Sequence, residues 1–181
     1  MALDKAERLE DLINEYFDIT RFSLTNITLE YRTVSLTRML QQITDEFAPM
    51  LLEKGLVCHV AASPNVTVTC DPDKLQRVFD NLLRNAINYS YENTEIQVSL
   101  SVYGDTAHIS FANEGDDIPP HKLDRIFEQF YRLDSSRGSR TGGAGLGLAI
   151  AKEIVELHGG SISARSADHR IVFSLELPLH P

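Results

Sequence analysis

The sequence predicts an α/β domain built as a two-layer sandwich: a mixed, mostly antiparallel sheet with helices on one face, preceded by an N-terminal helix. Three observations lead there. Short segments of alternating apolar and polar residues come in pairs, joined by turn signals such as Gly104-Asp105. Between the pairs lie stretches with apolar residues at helical spacing, the clearest being Leu75, Val78, Phe79, Leu82, Leu83 and Ala86. The strands also do not alternate one by one with helices, as a doubly wound parallel sheet requires. A length of 181 residues sets one domain, or one domain with a short appendage.

The elements follow in order. Over residues 3–22, Leu9, Leu12, Ile13, Tyr16 and Thr20 form a narrow helical stripe. That stripe fits a helix docked on the chain's own core and a helix paired with one outside this sequence equally well. Ile27, Leu29, Tyr31 and Thr33 alternate as a short strand over 27–34. Residues 36–54 return to helical spacing through Leu36, Met39, Leu40, Ile43, Phe47 and Leu51, and Gly55 closes that helix. Strands near 56–61 and 66–70 are split by Ser63-Pro64-Asn65. Asp71-Pro72 opens the next helix as N-cap and first-turn proline. Strands at 94–103 and 106–113 form a hairpin, a short helix lies near 120–130, and a polar stretch covers 131–141. A glycine cluster then opens a helix carrying Leu146, Ile150, Ile154 and Leu157, which His158-Gly159-Gly160 ends. Strands near 161–166 and 170–177 close the chain.

Composition narrows the class. An apolar share of 43% with 24% charged residues is globular and excludes a disordered or low-complexity chain. The net charge of −9 argues against nucleic acid as the main partner, because such binders need a basic face. No apolar run approaches the ~20 residues that span a bilayer, and no signal peptide is evident. Cys58 and Cys70 are too few for a disulfide framework and read as reduced thiols in a cytosolic setting.

The chemistry concentrates in two places. Five of the ten glycines, Gly138, Gly142, Gly143, Gly145 and Gly147, stand just before a helix, where free N–H groups and the helix dipole favour an anion. Arg132, Arg137 and Arg140 precede or interleave with them against Asp134 alone, so a locally basic loop in an acidic chain points to a phosphate. It is not a Walker loop, because Gly143 and Gly147 are followed by Ala144 and Leu148 rather than by Lys and Ser or Thr. Nor is it a dinucleotide fingerprint, since the lead-in is a polar loop instead of a strand. The second place is the flank of the helix from Asp71, where Asn81, Asn85 and Asn88 stand at i, i+4 and i+7. Asn is a mediocre helix former, and its amide oxygen is a hard neutral ligand suited to Mg²⁺. Solvent-facing polar filler explains the same spacing equally well.

Taken in order, the motifs resemble the ATP-binding catalytic domain of sensor histidine kinases, a Bergerat-type ATP-binding fold. Residues 81–90 (NLLRNAINYS) are similar to its asparagine box and 113–119 (NEGDDIP) to its first glycine box. Residues 126–132 (IFEQFYR) are similar to its phenylalanine box and 142–152 (GGAGLGLAIAK) to its second glycine box. The resemblance covers about residues 35–178, and within the family the whole chain is most similar to the sensors of vancomycin-resistance systems. It implies ATP and Mg²⁺ as cofactors. Asn85 would ligate Mg²⁺ and Asn81 would support it, while Tyr89 would pack near adenine or ribose. Asn88 stands where the family often has a phosphate-reaching Lys. Asn113, Gly115 and Ile118 belong to the base-reading box. Phe127 and Phe130 would anchor the base of an ATP lid over 131–144. Arg132 and Arg137 would meet the phosphates, Arg132 with a catalytic share, and Gly143, Gly145, Leu146, Gly147 and Leu148 would form the hinge and phosphate cradle.

Two departures qualify that picture. Asn113 replaces the usual Asp, so the hydrogen bond from the adenine amino group is accepted without charge, and Asp117 replaces the box's second glycine. Asn81 stands where related ATPases carry the Glu that activates water, which favours phosphoryl transfer over hydrolysis. None of the histidines has the context of a phosphoacceptor. His59 has Pro64 five residues on, but Val60 follows it in a strand. The resemblance therefore implies an acceptor upstream of Met1, with residues 1–34 as the C-terminal part of a dimerisation and phosphotransfer hairpin plus linker. The partners implied are the phosphotransfer helix of the kinase's own dimer and a response regulator. This segment is expected in the cytoplasm, without membrane contact, beneath a membrane-anchored parent. The alternatives are an ATPase of the same fold and a degenerate nucleotide-sensing or docking module.

Overall fold

Strands Arg32–Ser35 (β1), Val57–Ala62 (β2), Thr67–Cys70 (β3), Glu95–Tyr103 (β4), Thr106–Glu114 (β5), Ser161–Ala167 (β6) and Arg170–Pro178 (β7) form the sheet layer. Helices Leu36–Glu46 (α1), Ala48–Glu53 (α2), Pro72–Tyr89 (α3), Pro120–Leu123 (α4) and Gly147–Leu157 (α5) accompany it. The structure is a computed structural model and describes residues 28–131 and 145–180. The helix expected over 3–22 lies outside the described residues.

The main sheet has the order β2-β4-β5-β7-β6, with β2 and β4 parallel and every other pair antiparallel. It is the mixed, mostly antiparallel sheet expected. Alternation explains why one face carries helices. Ile96, Val98 and Leu100 of β4, Ile109 and Phe111 of β5, and Phe173, Leu175 and Leu177 of β7 are buried on that side. Their neighbours on the other side are polar and hold one another, as in Ser99 Oγ to Ser110 Oγ at 2.7 Å and Arg170 to Gln97 at 2.9 Å. The helical layer answers with Leu75, Val78, Phe79, Leu82 and Leu83 of α3 and Ile150, Ala151, Ile154 and Val155 of α5. The Phe79 and Phe111 rings meet 6.0 Å apart across the two layers. Each such aliphatic or aromatic side chain contributes about 1.5–3 kcal/mol by leaving water.

Four expectations are corrected. The strands near 56–61 and 66–70 do not share a sheet: β2 joins β4, whereas β3 pairs antiparallel with β1 in a separate two-stranded ribbon. The turn between them, with Asn65 at φ 57°, turns β3 away, and the β2 ladder continues instead through Ser63 N–H to Leu100 C=O at 2.9 Å. The single helix expected over 36–54 breaks after Glu46, because Pro49 has no N–H with which to continue it, and restarts as α2. The helix expected near 120–130 is helical only over Pro120–Leu123 and then runs on as turns. The early strand, expected over 27–34, covers only Arg32–Ser35, with Ser35 going on to cap α1 through its side chain.

The start of α3 is tied down as the sequence indicates. The Asp71 carboxylate accepts from Lys74 N–H at 3.2 Å and, through its other oxygen, from Glu30 N–H at 3.1 Å. Behind it lies His158, which is 5% exposed. His158 Nε2 accepts from the Asp71 N–H at 3.0 Å, which requires the proton on Nδ1, and Nδ1 donates to the Ile154 carbonyl at 2.7 Å. One neutral imidazole thus joins the end of α5 to the start of α3. His158→Ala strands a buried N–H and is expected to cost about 1–3 kcal/mol of stability. Urea unfolding should show a lower midpoint with an unchanged slope.

Cys70 is buried beside Asp71, and burial first, then that carboxylate, pushes its thiol up to about 11. Among the described residues both cysteines are free thiols. An acid whose folded pKa is raised favours folding below its unfolded value of 9.0, and that contribution is lost as pH rises towards 11. Stability should fall over that window, and alkylation of Cys70 at pH 8.5 should proceed only on addition of denaturant.

Candidate functional site

The site is built along α3, whose apolar face is in the core and whose asparagine flank is only partly buried. At one end of that flank, Asn81 Nδ2 donates to the Gly147 carbonyl at 3.0 Å. A Cβ at Gly147 would stand 3.2 Å from Asn81 Oδ1, so the glycine permits α5 to begin hard against α3. The start of α5 has no side-chain cap, and its first helical bond runs from Ile150 N–H to the Leu146 carbonyl at 2.9 Å. The N–H groups of Gly147, Leu148 and Ala149 therefore have no carbonyl four residues back within the helix, and the positive end of its dipole stands at the Asn81 end of the flank.

At the other end of α3, Gly115 packs against the Tyr89 carbonyl so closely that no side chain fits there. Gly115 N–H donates to His169 C=O at 2.9 Å. Asn113 continues the inward-facing row of Phe111 at the end of β5, and it is 2% exposed. Its Nδ2 makes only a long contact to the Glu114 carbonyl, at 3.4 Å, and its Oδ1 has no hydrogen-bond partner. Among the described residues no other buried side-chain nitrogen or oxygen lacks one. A buried acceptor without a donor is costly, so this atom marks where a donor is missing.

Asn85 lies between the two ends. Its amide is partly buried and makes no hydrogen bond to a described residue. From Asn81 to Tyr89 the helix rises about 12 Å, so one helix flank presents, in line, an anion-favouring helix start, an uncommitted amide and an orphaned acceptor. Among the described residues no group of three or more His, Cys, Asp or Glu side chains could hold a metal ion by itself. Mg²⁺ does not need such a cage, since it is commonly held by one or two protein oxygens together with substrate phosphates and water. The amide of Asn85 fits that pattern.

Other expected residues take different places. Asn88 contributes its main-chain carbonyl, which accepts from Lys54 Nζ at 3.1 Å beside the Ile87 carbonyl at 2.8 Å. Tyr89 is exposed. Ile118 is buried, and its N–H donates to Ser166 Oγ at 2.8 Å. Leu146 is buried and Leu148 packs at the edge of the core. Phe127 packs edge-on to Phe173 with ring centroids 6.2 Å apart, whereas Phe130 is 59% exposed with φ 63°. Phe130 acts through its backbone instead, donating its N–H to the Gly145 carbonyl at 3.0 Å and so holding together the two ends of the glycine-arginine segment. Arg132, Arg137 and Gly143 lie outside the described residues.

Three contributors were not evident from the sequence. Lys54 caps the end of α3 from the turn that follows α2, and only the fold brings it there. Asp117 Oδ1 accepts from His169 N–H at 2.9 Å and from Ser166 Oγ at 3.4 Å, which ties the loop after Gly115 to the β6–β7 turn. Tyr91 donates its hydroxyl to Asp116 at 2.8 Å, and that hydrogen bond is the main reason its pKa is raised.

Residues 70–181 match the sequence profile of the family described as histidine kinase-, DNA gyrase B-, and HSP90-like ATPase. The chain is 52% identical over 178 residues to the sensor protein VanSC of Enterococcus gallinarum, which covers 98% of this chain and 49% of that protein. It is also 52% identical over 181 residues to the sensor protein VanS of Enterococcus faecium, covering 100% of this chain and 47% of that one. It thus spans about half the length of these relatives. The crystal structure of full-length ShkA in complex with AMPPNP shares the fold at a TM-score of 0.84 and 28% identity, over 94% of this chain and 35% of that chain.

The tight approach of Gly115 to Tyr89 carries a prediction. Gly115→Ala must displace the Tyr89 carbonyl and is expected to cost about 1–3 kcal/mol, as overpacking does. Chemical unfolding of the variant measures it.

Proposed function

The chain belongs to the histidine kinase-, DNA gyrase B-, and HSP90-like ATPases as a sensor-kinase member of that family, and from this premise we propose that it binds Mg-ATP along the flank of α3 and delivers the γ-phosphoryl group to a protein histidine. The observation that carries the reading is the orphaned Oδ1 of Asn113, in line with the uncommitted Asn85 amide and the open start of α5. The exocyclic amino group of adenine supplies the donor that Asn113 lacks. Asn85 offers a neutral oxygen to Mg²⁺, which neutralises charge on the phosphates when bound. The free N–H groups of α5 receive the phosphate end. Arg132 and Arg137 belong to the same reading as further cations on the phosphates. Catalysis of this kind is mostly positioning and charge neutralisation.

Transfer is favoured over hydrolysis by Asn81. Its amide is neutral, cannot take a proton from water, and is already committed to the Gly147 carbonyl. The acceptor is a histidine of the phosphotransfer helix pair of the kinase dimer. His158 is excluded because both of its ring nitrogens are engaged in the core. Residues 1–34 form the end of that hairpin and its linker, and 35–181 form the ATP-binding domain. The phosphoryl group passes onward to a response regulator in glycopeptide-resistance signalling, beneath a membrane-anchored sensor. Among the described residues no helix is long and apolar enough to cross a membrane.

Calorimetric titration with ATP, with and without Mg²⁺, tests the reading. Binding should depend on Mg²⁺, and Asn85→Ala should weaken it roughly ten- to a hundredfold, which corresponds to about 1.5–3 kcal/mol. Radiolabelled ATP should then label a separately supplied phosphotransfer helix pair. Binding indifferent to both Mg²⁺ and Asn85 would overturn the assignment.

A further inference from the structure

The identity of the base-reading residue has a consequence for which nucleotides the site accepts. Asn113 is an amide, with one oxygen that only accepts and one nitrogen that only donates. A carboxylate in the same place offers acceptors alone. In the present orientation Oδ1 is the buried, unpartnered atom, and an amino group at position 6 of a purine would supply the donor it lacks.

Little holds the amide in that orientation. Its only hydrogen bond is the 3.4 Å contact from Nδ2 to the Glu114 carbonyl, beyond the usual range for N–H···O. Oxygen and NH₂ are nearly the same size, so rotating the amide by half a turn keeps the packing; it exchanges the weak 3.4 Å contact for an oxygen facing the Glu114 carbonyl, a mild repulsion that a new hydrogen bond to the ligand offsets. The rotated amide presents a donor where the acceptor stood. That donor matches the carbonyl oxygen of a 6-oxopurine.

We infer that Asn113 makes the site a two-way reader of purine position 6, accepting 6-oxopurine nucleoside triphosphates as well as the 6-aminopurine ATP. The inference rests on the proposed nucleotide reading and goes beyond it by naming the substrate range. The specificity-determining atom pair is Oδ1 and Nδ2 of one side chain. Asn113→Asp removes the donor, adds charge that favours the amino group, and sets two acceptors against a 6-oxo oxygen.

The test is competition of Mg-ATP, Mg-ITP and Mg-GTP for the whole chain, read by calorimetry, with the same series on Asn113→Asp. ITP carries the 6-oxo group without the 2-amino group of GTP, which separates reading at position 6 from exclusion at position 2. ITP is expected within about tenfold of ATP on the native chain, since a single neutral hydrogen bond corresponds to about that factor. Asn113→Asp should tighten ATP, weaken ITP and open their ratio at least about tenfold further. Weak GTP beside strong ITP supports the inference and places a barrier at position 2. Native-chain ITP more than about a hundredfold weaker than ATP overturns it, as does a ratio unmoved by Asn113→Asp. If ATP binds and ITP does not, this inference alone fails; if no nucleotide binds, the nucleotide reading fails with it. The native ratio decides the matter even where the variant does not fold.

Discussion

Helix α3 has to bury one face completely and keep the adjoining flank open, and both ends must stay fixed while it does so. At its start, Asp71 caps the first turn and offers its N–H to the imidazole of His158. At its finish, the carbonyls of Ile87 and Asn88 are held by the Lys54 ammonium, which also suits the negative end of the dipole. Pinned in this way, α3 sets the distance between the start of α5, which touches Asn81, and the end of β5, which reaches Tyr89 through Gly115. A slip of one residue along α3 would rotate the asparagines by ~100° and take Asn85 off the line between those two points. The site is thus a by-product of core packing, and its precision comes from buried leucines as much as from its polar groups.

Much of this was legible in the sequence because it is local. The stripe from Leu75 to Ala86, the Asp71-Pro72 start and the alternation over β4, β5 and β7 follow from periods of 3.6 and 2. The break at Pro49 was equally local and was outweighed by the apolar spacing on either side of it. The non-local features could not be read: the parallel pairing of β2 with β4, the ribbon of β1 and β3, the reach of Lys54 across to α3, and the hydrogen bonds of Asp117. In the site, the spacing of Asn81, Asn85 and Asn88 showed a shared flank but not the division of labour on it. The Asn81 amide is spent on a backbone carbonyl, Asn88 serves through its main chain, and the Asn85 amide, midway between the start of α5 and Asn113, makes no hydrogen bond to a described residue. Phe130 shows the same limit. A phenylalanine in an apolar context reads as core, yet its left-handed backbone turns the ring to solvent and leaves its N–H as the anchor.

The chain carries a net charge of −9, yet it is argued to receive a polyphosphate. The flank resolves the conflict by being neutral. Amides at Asn81, Asn85 and Asn113 offer lone pairs without adding negative charge, where carboxylates would repel the phosphates at close range. With a screening length of about 8–10 Å, the acids elsewhere on the surface matter less than the few groups within contact of the ligand. Neutrality has a cost, because an amide binds Mg²⁺ and an amino group less firmly than a carboxylate does. On the proposed reading the compensation is breadth, since an amide, unlike a carboxylate, can turn over and donate.

Asp116 and Asp117 fit the same logic by position. Both follow Asn113 in the chain and stand at the Tyr89 end of the flank, away from the start of α5. Each carboxylate is engaged through one oxygen: Asp116 accepts from Tyr91, and Asp117 accepts from the His169 N–H and Ser166. A glycine at position 117 would leave the loop after Gly115 held by the Gly115–His169 and Ile118–Ser166 bonds. The aspartate adds a third tie to the same hairpin turn, whose Asp168 and His169 are both left-handed. Conformational freedom that a second glycine would give the loop is exchanged for attachment to β6 and β7. That attachment fixes the backbone on which Asn113 and Gly115 stand, while the Asn113 amide itself is held by no more than one long contact.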